Sequence, residues 1–140
     1  AEKRDFVIVS CGGFPHDINL IQAHKALEAA SHACREGGTI VLLAECRDGL
    51  GRDDFLKWFD AETSEALAVK PCDKYQVNGQ TAWSLFRKAE RFSIRVITSL
   101  NSDALSKMSL MVETSLTHYG GERGYILTDG ARTMVRALGN

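Results

Sequence analysis

Two short apolar runs frame the first third of the chain. Phe6-Val7-Ile8-Val9-Ser10 is β-branched and almost continuous. A run apolar at both alternating sets of positions reads as a strand buried on both faces, the habit of parallel sheets. Thr39-Ile40-Val41-Leu42-Leu43-Ala44 repeats the pattern. Between the runs, Leu20, Ala23, Leu27, Ala30 and Cys34 recur at intervals of three and four, which makes one buried helical face. Asp17 is the expected N-cap of that helix, and Gly37-Gly38 its expected end. Residues 6–44 thus predict a βαβ unit with a right-handed crossover.

Downstream the pattern is less regular. Residues 45–51 form a polar loop with two glycines. Short helices are expected at 53–59 and 62–69, and a longer one at 80–91 containing Trp83, Leu85 and Phe86. "SIRVITS" (93–99) reads as a third strand, 103–109 as a helix, 111–119 as a helix, 124–127 as a fourth strand and 131–138 as a terminal helix. No repeat, low-complexity tract or linker interrupts the order. The expectation is an α/β, Rossmann-like three-layer domain: a mostly parallel sheet of about four strands with helices on both faces.

Composition narrows the function more than the fold. The chain has 140 residues, 44% hydrophobic and 25% charged, an ordinary globular balance for one domain. A net charge of −1 argues against a general nucleic-acid binder and against a polybasic membrane surface. No apolar run reaches the roughly 18 residues of a membrane span. The charged start Ala1-Glu2-Lys3-Arg4-Asp5 shows no secretory signal, so a cytoplasmic setting is expected. The four cysteines are widely spaced and form no CxxC or Cys/His zinc pattern. They read as reduced thiols; if one is reactive, Cys11 and Cys46 are preferred because they end apolar runs.

In open α/β sheets, ligands bind beyond the carboxyl ends of the strands. Two loops stand there. In the first, residues 11–19, Gly12 and Gly13 let backbone approach a ligand, and the following helix start offers N–H groups to an anion. Neither GxGxxG nor the Walker spacing is present. Gln22 and Lys25 are three apart and share a helix face, so an amide and an ammonium together could hold a small carboxylate. A helix dipole disfavours a cation near the N-terminus, so Lys25 needs a reason. The plain alternative is a solvated Lys25–Glu28 pair. His16 and His24 share no clear face, and no metal site is expected from them. In the second loop, residues 45–51, Glu45 could act as acid, base or acceptor, or simply pair with Arg47 in a turn. Trp83 could cover a ligand, although a Trp on an amphipathic helix is more often core.

"GGFPHDINLIQAHKAL" followed by "GGTIVLLAECRDGLG" resembles the C-terminal domain of the nickel-dependent lactate racemase family. That family's pattern is GG-[YHF]-P-x-D-x-N-L-[YI]-Q-x-x-K-A-[LI], then a Gly-Gly strand ending in Ala-Glu-Cys-Arg-[DE]-Gly-Leu-Gly. The likeness is continuous from about Asp5 to Gly51 and beyond Phe59 rests mostly on element order. Ile21 stands where Tyr is common and His16 where Lys is common, so the substrate need not be lactate.

The resemblance implies a 2-hydroxyacid racemase or epimerase. Such an enzyme uses a nickel-pincer nucleotide that accepts the substrate's C2 hydride and returns it to either face. The family's acid/base histidines, cofactor-tethering Lys and nickel ligand belong to an N-terminal domain absent from this sequence. Residues 1–140 are therefore expected to be a single C-terminal domain, inactive alone, with no catalytic residue, metal ligand or cofactor of its own. Gln22 and Lys25 match the family's Q-x-x-K and would face the inter-domain cleft. Gly12, Gly13, Asp17, Glu45 and Arg47 would line it, with Trp83 matching a later aromatic. The implied partners are the N-terminal domain of the same chain and a small 2-hydroxyacid, with neither nucleic acid nor membrane. The competing class is a standalone doubly wound domain that binds a small ligand or nucleotide without catalysis.

Overall fold

A computed structural model describes residues 2–51, 55–61, 63–68, 79–116 and 124–128. Five strands form one sheet: β1 (Arg4–Ser10), β2 (Cys34–Leu43), β3 (Ser93–Ile97), β4 (Met111–Val112) and β5 (Tyr125–Leu127). Their order is β4-β3-β2-β1-β5, and every described pairing is parallel. Four helices are described: α1 (Leu20–Ala33), α2 (Ser64–Ala68), α3 (Gly79–Arg91) and α4 (Ser102–Lys107). A 3-10 helix covers Phe55–Ala61.

Register explains the core. Val7 pairs with Ile40 and Ile40 with Ile94; one step along, Val9 pairs with Leu42 and Leu42 with Val96. Partners in register point to the same side of a sheet, so these are two apolar rows across three strands. All six side chains are at most 1% exposed. Against them pack α1, over β1 and β2, and α3, over β2 and β3. The α1 face read from the sequence is the one buried: Leu20, Ala23, Leu27 and Ala30 are fully enclosed. Burial of each large apolar side chain contributes roughly 1.5–3 kcal/mol. Phe59 stacks on Phe86, ring centres 5.1 Å apart, which ties the 3-10 helix to α3.

The sheet order also locates the switch point. Strands β1 to β4 advance in one direction, while β5 lies on the other side of β1. The crevice where ligands collect in such sheets opens beyond the carboxyl ends at this reversal, beside the loop leaving β1.

Several expectations change. The cap of α1 is Asn19, whose side chain accepts the Gln22 N–H at 2.8 Å; Asp17 lies too far upstream and does something else. Helix α1 stops at Ala33, before Gly37-Gly38, because Cys34 is already extended (φ −104°, ψ 141°) and opens β2. An irregularity then lies between the pairs Arg4–Cys34 and Phe6–Thr39. The sheet has a fifth strand because Met111–Val112, read as helix, pairs with Arg95–Val96. The remaining helices fall where expected within a few residues, the first as a 3-10 helix. The helix expected at 131–138 lies outside the described residues.

One polar contact joins α1 to α3. The Lys88 ammonium, 4% exposed, donates to Glu28 Oε2 at 2.6 Å and to Ser84 Oγ at 2.6 Å, and sits 3.3 Å from His24 Nε2. A lysine can only donate, so Nε2 is the acceptor and the His24 proton sits on Nδ1. Burial, reinforced by the Lys88 charge, pushes His24 down to about 4 from its usual 6.5. The hydrogen bond from Lys88 holds the Glu28 carboxyl below its usual range. On acidification below pH 6.5 the unfolded chain protonates His24 first, while the folded one resists until about 4. The stability present above pH 6.5 is therefore lost as pH falls through this window, by about 3 kcal/mol from His24. We expect the melting temperature to drop between pH 7 and pH 4, and His24→Gln to flatten that drop. Thermal melts of both proteins across the window check it; equal slopes would remove His24 as the cause.

Candidate functional site

The two loops expected to carry function are stitched together by backbone. The Leu20 N–H donates to Gly49 O at 3.1 Å and the Ile21 N–H to Leu50 O at 3.3 Å. In return, the Cys46 N–H donates to Asp17 O and the Asp48 N–H to Ile18 O, both at 2.9 Å. The Asp17 carboxylate accepts the Glu45 N–H at 3.2 Å. The third strand's loop joins them. The Ser99 N–H and the Thr98 and Ser99 hydroxyls all donate to Glu45 O, at 2.9, 3.1 and 2.6 Å. The carboxyl edge of β1, β2 and β3 is thus one connected surface.

This seam changes the chemistry expected at the start of α1. Its first free N–H groups, on Leu20, Ile21 and Gln22, are taken by Gly49, Leu50 and the Asn19 side chain. They are not available to an anion, so recognition of charge at this edge falls to side chains. Gln22 and Lys25 are both exposed, in the first and second turns of α1. Lys25 has no acidic partner within 4 Å among the described residues. Glu28, its expected partner, is engaged by Lys88 at 2.6 Å and His32 at 3.4 Å.

The other expected residues are placed as follows. Gly12 and Gly13 take positive φ (89° and 78°), a region open to glycine, and both are exposed. Asp17 works as a clamp between the loops. Glu45 is exposed, with its backbone rather than its carboxylate fixed by neighbours. Arg47 does not pair with Glu45 among the described residues; its guanidinium lies over the Phe14 ring, 4.5 Å from the centroid. Trp83 is not core but 42% exposed on α3, with Arg87 at 6.0 Å, and it takes no part in the seam.

The described thiols are enclosed. Cys11, Cys34 and Cys46 are free and buried. Burial pushes Cys11 up to about 12 and Cys34 and Cys46 up to about 11, so none is a ready nucleophile or metal ligand. Cys72 lies outside the described residues. Among the described residues no three His, Cys, Asp or Glu side chains group closely enough to hold a metal ion. These residues do not fit nickel. No helix among them is long and apolar enough to cross a membrane.

Sequence reasoning missed Asn19, Phe14 and Lys88. Asn19 carried a usable signal: an Asn directly before the first periodic apolar residue and three before Gln22. Phe14, between Gly13 and Pro15, was visible only as an aromatic in a loop. Lys88 carried none, since Glu28 and His24, which it reaches across to, lie on a helix some sixty positions away.

A parallel sheet whose switch-point loops are sewn together and bear exposed polar side chains defines an open α/β domain with a polar carboxyl edge. The chain belongs to the lactate racemase C-terminal domain family, whose sequence model matches residues 1–119. The lactate racemase of Thermoanaerobacterium thermosaccharolyticum is 46% identical over 59 residues, 42% of this chain and 14% of that protein. The lactate racemase of Lactiplantibacillus plantarum is 45% identical over 51 residues, 36% of this chain and 12% of that protein. The solved lactate racemase apoprotein from T. thermosaccharolyticum superposes with a TM-score of 0.85 at 27% identity. That match covers 97% of this chain and 36% of the other, so the chain spans about a third of its length.

The seam is testable at two positions. Gly51 has φ +104°, and a Cβ there would stand 3.0 Å from Asn19 Cγ and Ile21 Cδ1. Gly51→Ala should cost about 1–3 kcal/mol through backbone strain and crowding of the cap. Asn19→Ala should cost ~1 kcal/mol as a lost N-cap. Both bear on one seam, so the double variant should fall short of the sum in urea unfolding.

Proposed function

We propose that this chain is the C-terminal domain of a 2-hydroxyacid racemase or epimerase, and that its seam edge closes one side of the active cleft. The observation that carries this is the pair Gln22 and Lys25. Both are exposed one turn beyond the seam, at the carboxyl edge of a parallel sheet, and Lys25 has no acidic partner among the described residues. Residues 1–140 form one domain in this reading, and the remainder of the protein supplies the acid/base groups. The nickel-pincer nucleotide of the family would be held mainly there and would supply hydride transfer at C2. Here Lys25 and Gln22 orient the substrate carboxylate or the cofactor, Gly12 and Gly13 allow close approach of backbone, and Asp17 holds the Glu45 and Cys46 backbone so that Glu45 and Arg47 stand at the rim. Buried, unpaired thiols suit a cytoplasmic setting.

Lys25→Ala in the full-length protein should leave the melting curve nearly unchanged, because the side chain is exposed and joins no ion pair among the described residues. Its kcat/KM should fall far more. A charge-assisted hydrogen bond in a closed cleft is about twice as strong as a neutral one. Losing it should cost roughly 2–4 kcal/mol of transition-state stabilisation. Gln22→Ala should cost about 1 kcal/mol, as a neutral donor. Full turnover in Lys25→Ala would overturn this reading. The fragment 1–140, purified alone, should neither racemise lactate nor retain nickel; turnover with stoichiometric metal would place the chemistry in this domain.

A further inference from the structure

Phe14 is 62% exposed, at the tip of the loop that leaves β1. The ring lies outside the hydrophobic core. Its partner is the Arg47 guanidinium, 4.5 Å from the ring centroid, supplied by the loop that leaves β2. The contact therefore spans the seam. Arg47 makes no ion pair or hydrogen bond among the described residues, although Glu45 and Asp48 lie close in sequence.

The geometry has a chemical consequence. The ring covers one side of the guanidinium and restrains it at the seam. None of its five N–H donors bonds to a described residue. A guanidinium covered on one side, with its donors open, suits an anion that presents two oxygens side by side. Lysine offers no such fork, so Lys25 and Arg47 are not duplicates.

We propose that Arg47, held over the Phe14 ring, is an oxyanion-binding residue that receives the carboxylate of the 2-hydroxyacid at the rim of the cleft. Phe14 is a positioning residue and acts only through Arg47. The proposal rests on the reading of this edge as a substrate cleft and adds the group that reads the carboxylate. The same fork would accept a phosphate, and the experiment separates the two sources.

The test uses the full-length protein. Arg47→Ala should raise KM for lactate at least tenfold with kcat changed less than threefold. Arg47→Lys should recover only part of that loss. Phe14→Leu should raise KM about threefold, and Phe14→Tyr should restore it, because a ring rather than bulk is required. In parallel, the Arg47 side-chain NMR signal is followed while sodium lactate, then inorganic phosphate, is added against sodium chloride at equal ionic strength. A saturable shift with lactate supports the proposal. A saturable shift with phosphate alone overturns the carboxylate assignment in favour of a phosphate site. No shift beyond the chloride control, or an unchanged KM in Arg47→Ala, overturns the proposal altogether. If Arg47→Ala does not fold, Arg47→Gln and the two Phe14 variants carry the same readings. Loss of activity in Lys25→Ala with normal KM in Arg47→Ala would sink this assignment and leave the wider reading standing. A wild-type protein without racemase activity would do the reverse, since the titration is read without turnover.

Discussion

Helix α1 begins with N–H groups that a helix cannot satisfy from within, and a buried donor left alone is costly. This chain meets the requirement with carbonyls of the neighbouring strand's loop: Gly49 for Leu20 and Leu50 for Ile21. Two loops distant in sequence are thereby made one object. The rest of the edge follows from that exchange. Cys46 and Asp48 donate back to Asp17 and Ile18, and the Asp17 carboxylate takes the Glu45 N–H. Glu45 O in turn anchors Thr98 and Ser99 of the third loop. With the helix start closed in this way, any recognition of charge there must come from side chains standing beyond it.

The first third of the fold was legible because two signals agreed. The apolar runs at 6–10 and 39–44 gave period and burial, and the helix between them showed one face at intervals of three and four. Most of these positions are buried, while Ile8, Ser10, Thr39 and Leu43 are half-buried. Boundaries were less legible. Asp17 looked like a cap because Asp favours caps, yet the same acceptor also suits an N–H of another loop, and only the register of α1 decides between them. Met111–Val112 is two residues long and exposed, so it has no periodicity of its own; its pairing with β3 makes it a strand.

For the candidate site, the two loops were identified from strand ends alone, and the structure brings them together. What no local pattern could show is which charged group answers which. Glu28 lies three residues from Lys25 and was its natural partner on a lone helix. In the folded domain Lys88 reaches across from α3 and takes it, which frees Lys25. Likewise Arg47 turns from its acidic neighbours to Phe14. Long-range pairings of this kind depend on packing, and a sequence read residue by residue contains no term for them.

Cys11 and Cys46 close the strands at the base of this edge, enclosed and with thiols held far from ionisation. Their silence makes them clocks. A thiol that cannot react while the loops are joined reacts only in the moments when they part, so the rate at which an alkylating reagent consumes it counts those partings. The domain therefore carries, in its native residues, a stopwatch for the breathing of its own carboxyl edge.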